Sequence, residues 1–101
     1  MLNYEVSATV RADLCAEFER YMRGRHIPEV LATRCFSGAS FASLGEGRYR
    51  TAYFVTDDAT LQRYLEQHAP ALRADFAKHF PVGVELAREV WREMERWAKT
   101  D

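Results

Sequence analysis

Apolar and polar residues alternate at the start of the chain. Leu2, Tyr4, Val6, Ala8 and Val10 take the even positions, with Asn3, Glu5, Ser7 and Thr9 between them. A period of two sustained from residue 2 to residue 10 predicts a strand with one buried face. The period then lengthens. Leu14, Phe18, Tyr21 and Met22 recur at three- and four-residue spacing, which predicts an amphipathic helix over about residues 12–25 that Gly24 ends or loosens. Pro28 disfavours helical geometry at Ile27 but suits the first position of a new short helix. A loop and about one helical turn are therefore expected across His26–Thr33.

Cys35–Leu44 is rich in Phe, Ser and Ala and predicts a second strand. Gly45-Glu46-Gly47 is a hairpin connection, because glycine supplies the positive φ of tight turns. Arg48–Thr56 returns as a third strand with Tyr49, Thr51, Tyr53 and Val55 on one face. Thr56-Asp57-Asp58 then brings capping oxygens and negative charge to a helix N-terminus. Leu61, Tyr64, Leu65, His68, Leu72 and Phe76 form the apolar stripe of that helix, which Pro70 should kink or restart.

After the turn Phe80-Pro81-Val82-Gly83 the signal divides. Val82, Val84, Leu86, Val90 and Met94 fall on even positions, a strand interrupted by Arg88 and Arg92, while Leu86, Val90, Met94 and Trp97 also fit a helix. Three strands alone would leave an exposed edge. A strand over Val82–Val90 is expected, followed by an irregular or helical tail carrying Trp91 and Trp97. The order β-α-β-β-α-β predicts an α+β, ferredoxin-like domain spanning residues 1–101. It has a four-stranded antiparallel sheet with two helices on one face.

Composition narrows the function classes. The chain has 101 residues, 48% apolar and 29% charged, which is globular, and a net charge of −1. That balance speaks against a dedicated nucleic-acid binder and against a polybasic membrane anchor. No apolar run approaches the roughly 20 residues that cross a bilayer. The alternating start, with Glu5 in it, is unlike a signal peptide, so a cytoplasmic protein is expected. In a reducing compartment Cys15 and Cys35 are expected as free thiols. The histidines and cysteines show no close ligand pair, so no metal is expected. Gly45 and Gly47 mark a turn and not a phosphate loop, and no cofactor is expected.

The run His26-Ile27-Pro28-Glu29-Val30-Leu31-Ala32-Thr33 resembles the signature of a bacterial family known as domain of unknown function 4286. So do Tyr53-Phe54, Leu61, Tyr64-Leu65, His68-Ala69-Pro70 and Leu72-Arg73. The resemblance covers nearly the whole chain. It implies a fold similar to dimeric α/β barrels, in which two ferredoxin-like sheets face each other, and hence a homodimer. It implies no chemistry. The family commonly has a glycine where this chain has Arg34.

Four residues are candidate ligand contacts: Glu5, His26, Arg50 and Tyr53. His26, at a bend fixed by proline, titrates near neutral pH and would serve as a general base or a ligand contact. Alternatively it holds the loop through a backbone carbonyl. Glu5 and Arg50 belong to adjacent strands and would line a polar cavity between paired sheets, or form a cross-strand ion pair on a solvated face. His68 reads as packing and His79 as a helix cap. Tyr49, Tyr53 and Phe54 resemble aromatic RNA-binding sheets, but the neutral charge and their alternation between faces count against that. Two functions lead. One is a homodimeric ligand-binding or interaction domain. The other is a small cofactor-free enzyme of the dimeric-barrel type, monooxygenase- or isomerase-like, with His26 as base and Tyr53 or Arg50 stabilising an enolate-like substrate.

Overall fold

A computed structural model describes residues 1–100. Strand β1 (Leu2–Val10) leads through a short 3-10 turn into helix α1 (Cys15–Tyr21), and a wider turn over Met22–His26 joins this to helix α2 (Ile27–Ala32). Strands β2 (Gly38–Gly45) and β3 (Arg48–Val55) form a hairpin. Helices α3 (Asp58–Gln67) and α4 (Ala69–His79) follow, and strand β4 (Val84–Arg92) completes the sheet. The strand order is β2-β3-β1-β4, with every pair antiparallel. This is the expected α+β, ferredoxin-like arrangement, with the helices covering one face of the sheet.

The alternation along each strand sets the two faces. Leu2, Tyr4, Ala8 and Val10 of β1 are buried under the helices, as are Tyr49, Thr51, Tyr53 and Val55 of β3. Asn3, Glu5, Ser7 and Thr9 take the opposite, open face. Register carries β4 along: Val6 pairs with Arg88, Ala8 with Leu86 and Val10 with Val84, so even positions of β4 face the helices. The turn of the hairpin also bonds to the end of β1. Val10 N–H donates to the Gly47 carbonyl at 2.7 Å, and a Cβ on Gly47 would sit 2.3 Å from the Val10 carbonyl oxygen. With φ at +76° as well, only glycine fits there.

Two local expectations need correction. The chain does not loop out at Ile27. It stays helical there (φ −62°, ψ −46°), and the Ile27 N–H donates to the Met22 carbonyl five residues back. Pro28 has no N–H and its ring displaces a carbonyl of the preceding turn. Widening that turn accommodates both effects, so the helix bulges where it was expected to break. At Pro70 the helix restarts as expected: α3 is capped at His68, and Pro70 lies in the first turn of α4. The last strand runs two residues further than expected and takes in Trp91. Beyond it Met94 and Trp97 are 90% and 79% exposed, so the tail does not fold back over its own sheet.

Arg34 has φ +65°, the left-handed conformation after a helix end that favours glycine.

Candidate functional site

The core between helices and sheet is two clusters rather than one. The first gathers Leu2, Tyr4, Val30, Phe36, Tyr53, Val55, Leu61 and Tyr64. The second gathers Val10, Phe18, Tyr21, Met22, Tyr49, Phe76 and Phe80. Between them lies a cavity of about 350 Å³ on the helix side of the sheet. Its floor is Tyr4, Val6 and Ala8 of β1 with Thr51 and Tyr53 of β3. Phe18, Met22 and His26 wall one side, and Tyr64, Arg73, Phe76 and Ala77 the other. Val84, Leu86 and Arg88 of β4 complete it. Of these, Arg73, Ala77 and Arg88 are exposed, which puts the mouth between α4 and the edge strand β4. A mostly apolar hollow with a few convergent polar groups is the usual form of a small-molecule site.

His26 reaches this cavity because of the wide turn. Phe18, Met22, His26 and Val30 are spaced by four residues, which in a regular helix of 3.6 residues per turn would drift around the axis. A turn closed by an i to i−5 bond slows that drift and keeps the four together. The imidazole packs at 5.7 Å on the Tyr21 ring and 5.6 Å from Phe76. Its Nδ1 is the one buried side-chain nitrogen or oxygen among the described residues with no hydrogen-bond partner. Burial lowers its pKa from the ordinary 6.5; Asp75 opposes this and the charge of Arg88 adds to it. His26 is therefore neutral at pH 7, with a ring nitrogen available as an acceptor.

The other polar groups differ in state. Thr51 is only 2% exposed. Burial raises the Tyr53 phenol, with Tyr64 and Tyr4 adding to the shift. Burial also pushes Tyr64 up to about 12, against a downward pull from Arg73 and Arg88. Arg73 donates to the Tyr4 hydroxyl at 3.1 Å. Both phenols are thus neutral donors.

The four residues singled out from the sequence do not share one site. His26 and Tyr53 line the helix-side cavity. Glu5 and Arg50 lie on the open face, their charged groups 3.7 Å apart, where Arg50 borders a second depression with Ser7, Thr9, Ala42 and Arg48. Strand parity explains the split: odd positions of β1 and even positions of β3 point away from the helices. Arg50 therefore does not reach the space beside His26. Arg73 and Arg88 hold the cationic positions at the cavity instead, and sequence reasoning missed both. Arg88 stood in plain view as the charged residue on the even, inward row of the last strand. His79 accepts its expected place at the end of α4, with Nδ1 3.0 Å from the Asp75 carbonyl. Among the described residues no group of three or more His, Cys, Asp or Glu side chains could hold a metal ion, and no helix is long and apolar enough to cross a membrane.

A family model described as domain of unknown function (DUF4286) matches residues 1–99. The chain belongs to this family. No curated protein matches it in sequence. Solved structures resemble this DUF4286 chain in fold. SnoaB, a cofactor-independent oxygenase from Streptomyces nogalater, superposes with a TM-score of 0.76 at 17% identity, covering 97% of each chain. An ethyl tert-butyl ether d (ethd) family protein from Bacillus halodurans gives 0.73 at 13% identity, over 93% of this chain and 100% of its own. MhuD, a heme-degrader from Mycobacterium tuberculosis with two hemes bound in its active site, gives 0.69 at 20% identity, over 97% of this chain and 100% of its own. At these identities the likeness is one of fold.

Proposed function

We propose that this chain binds a small, mostly apolar molecule in the helix-side cavity and that His26 removes a proton from it. The observation that carries this reading is the imidazole itself: neutral and set in the wall of an aromatic hollow. Its Nδ1 is sealed from solvent, so the nitrogen that would meet a ligand hydroxyl or acidic C–H is Nε2. Proton transfer then needs nothing but the side chains present: His26 takes the proton, while the phenols of Tyr53 and Tyr64 and the guanidinium groups of Arg73 and Arg88, which line the same cavity, would stabilise the resulting enolate. Cofactor-independent oxygenation by SnoaB is a precedent on this fold for chemistry of that economy.

Deuterium exchange tests it. The α-protons of 2-tetralone, a neutral bicyclic ketone, should exchange in D₂O about a hundredfold faster with the protein than in buffer. His26→Gln should abolish the acceleration. Exchange at the buffer rate, or acceleration that survives His26→Gln, would overturn the assignment.

The same proposal includes a homodimer joined through the open face. Phe54 and Trp91 flank Asn3 across that face in register, and Trp91 is 57% exposed. Glu5 stands directly opposite Glu89, an unfavourable pairing of like charges. Arg48 and Arg50 give the other half of the face a positive character. A two-fold axis along the strands would lay each acidic half over a basic one. Sedimentation should give a mass about twice 11.7 kDa; a single-chain mass at all micromolar concentrations would remove the dimer.

A further inference from the structure

We infer that the natural occupant of the helix-side cavity is an aromatic carboxylate, seated with its ring among the tyrosines and phenylalanines and its carboxylate at Arg73 and Arg88. The inference rests on the cavity reading above and narrows it to a substrate class.

The first support is charge. The lining includes two arginines and His26 but no aspartate or glutamate. Neither arginine makes a salt bridge among the described residues. Both are exposed and line the same cavity, which has no acidic side chain in its lining. An incoming anion supplies the missing charge.

The second support is placement. Arg88 sits in the helix-side row of the edge strand β4 between Leu86 and Val90, exposed at the mouth of the cavity. Arg73 approaches from the opposite wall, already oriented by its bond to the Tyr4 hydroxyl. A guanidinium carries five N–H donors in a planar fork that matches a carboxylate. One bond to Tyr4 leaves donors for a ligand.

The third support is size and shape. A hollow of about 350 Å³ lies at the small end of ligand sites, and its walls are dominated by rings. A fused bicyclic or tricyclic acid suits it, and an open-chain polar metabolite does not.

The test compares three probes of one shape by titration calorimetry: 2-naphthoate, its methyl ester and 2-naphthalenemethanol. The carboxylate should bind about ten- to a hundredfold more tightly than either neutral probe. Arg88→Met and Arg73→Met should each remove most of that preference. A circular dichroism spectrum and a urea midpoint close to those of the wild-type chain show that each variant is folded. Equal affinity for all three probes would overturn the carboxylate assignment and leave the cavity reading standing. So would a carboxylate preference untouched by both substitutions. Binding of none of the three would remove the cavity reading and this inference together.

Discussion

The imidazole of His26 stands edge-on to the ring of Phe76, centroids 5.6 Å apart and planes at 69°. Tyr21 packs on the same imidazole, and the resulting burial favours its neutral form. Stability follows by linkage. The folded pKa lies below 6.5, chiefly through burial. As pH falls below about 6.5, the unfolded chain takes up a proton that folded His26 refuses. This group therefore lowers stability progressively from about pH 6.5 down to its folded pKa, and no further. His26→Phe removes the effect while preserving the packing. Urea midpoints measured from about pH 7.5 to 5 should fall for the wild-type chain relative to the variant. Parallel curves would show that His26 titrates alike in both states.

Arg34 occupies a left-handed conformation at φ +65°. A Cβ there crowds the following carbonyl. Arg34→Gly should stabilise the fold by about 0.5–1 kcal/mol, the relief of strain being partly offset by the entropy of the unfolded glycine. A denaturant midpoint that rises at constant slope is the expected result, and a fall would contradict it.

Leu61 is 5% exposed in the first core cluster, whereas Leu65 is half-buried at its edge. Leu61→Ala should cost about 2–4 kcal/mol through the cavity it leaves. Leu65→Ala should cost about half as much, since its surroundings include solvent. Equal losses for the two would mean that the helix is rotated about its axis from the orientation described.

Much of this architecture was legible in the chain. The even residues of Leu2–Val10 and the odd residues of Arg48–Thr56 defined the buried face, because a strand has a strict period of two. The change of period after Val10 and after Thr56 located the helices. What periodicity could not supply was the response of the backbone to Pro28, where a widened turn keeps the helix going. That response decides where His26 points. The site was half legible for a related reason. His26 and Tyr53 stood out by residue type and position, but Glu5 and Arg50 were grouped with them on the expectation of a cavity between paired sheets. The structure has its more aromatic hollow on the helix side. The signal for Arg88 lies in the strand pattern itself, as a charge in an apolar row, which periodicity alone registers as an interruption of the strand.

The most direct test of the helix-side cavity as the binding site is an intermolecular nuclear Overhauser measurement on the protein with bound 2-naphthoate. Contacts are predicted from the ring protons to the methyl groups of Met22, Ala77 and Leu86, which line the cavity. Contacts instead to the methyl groups of Ala42, Ala52 and Ala87, which register places on the open face, would contradict the account.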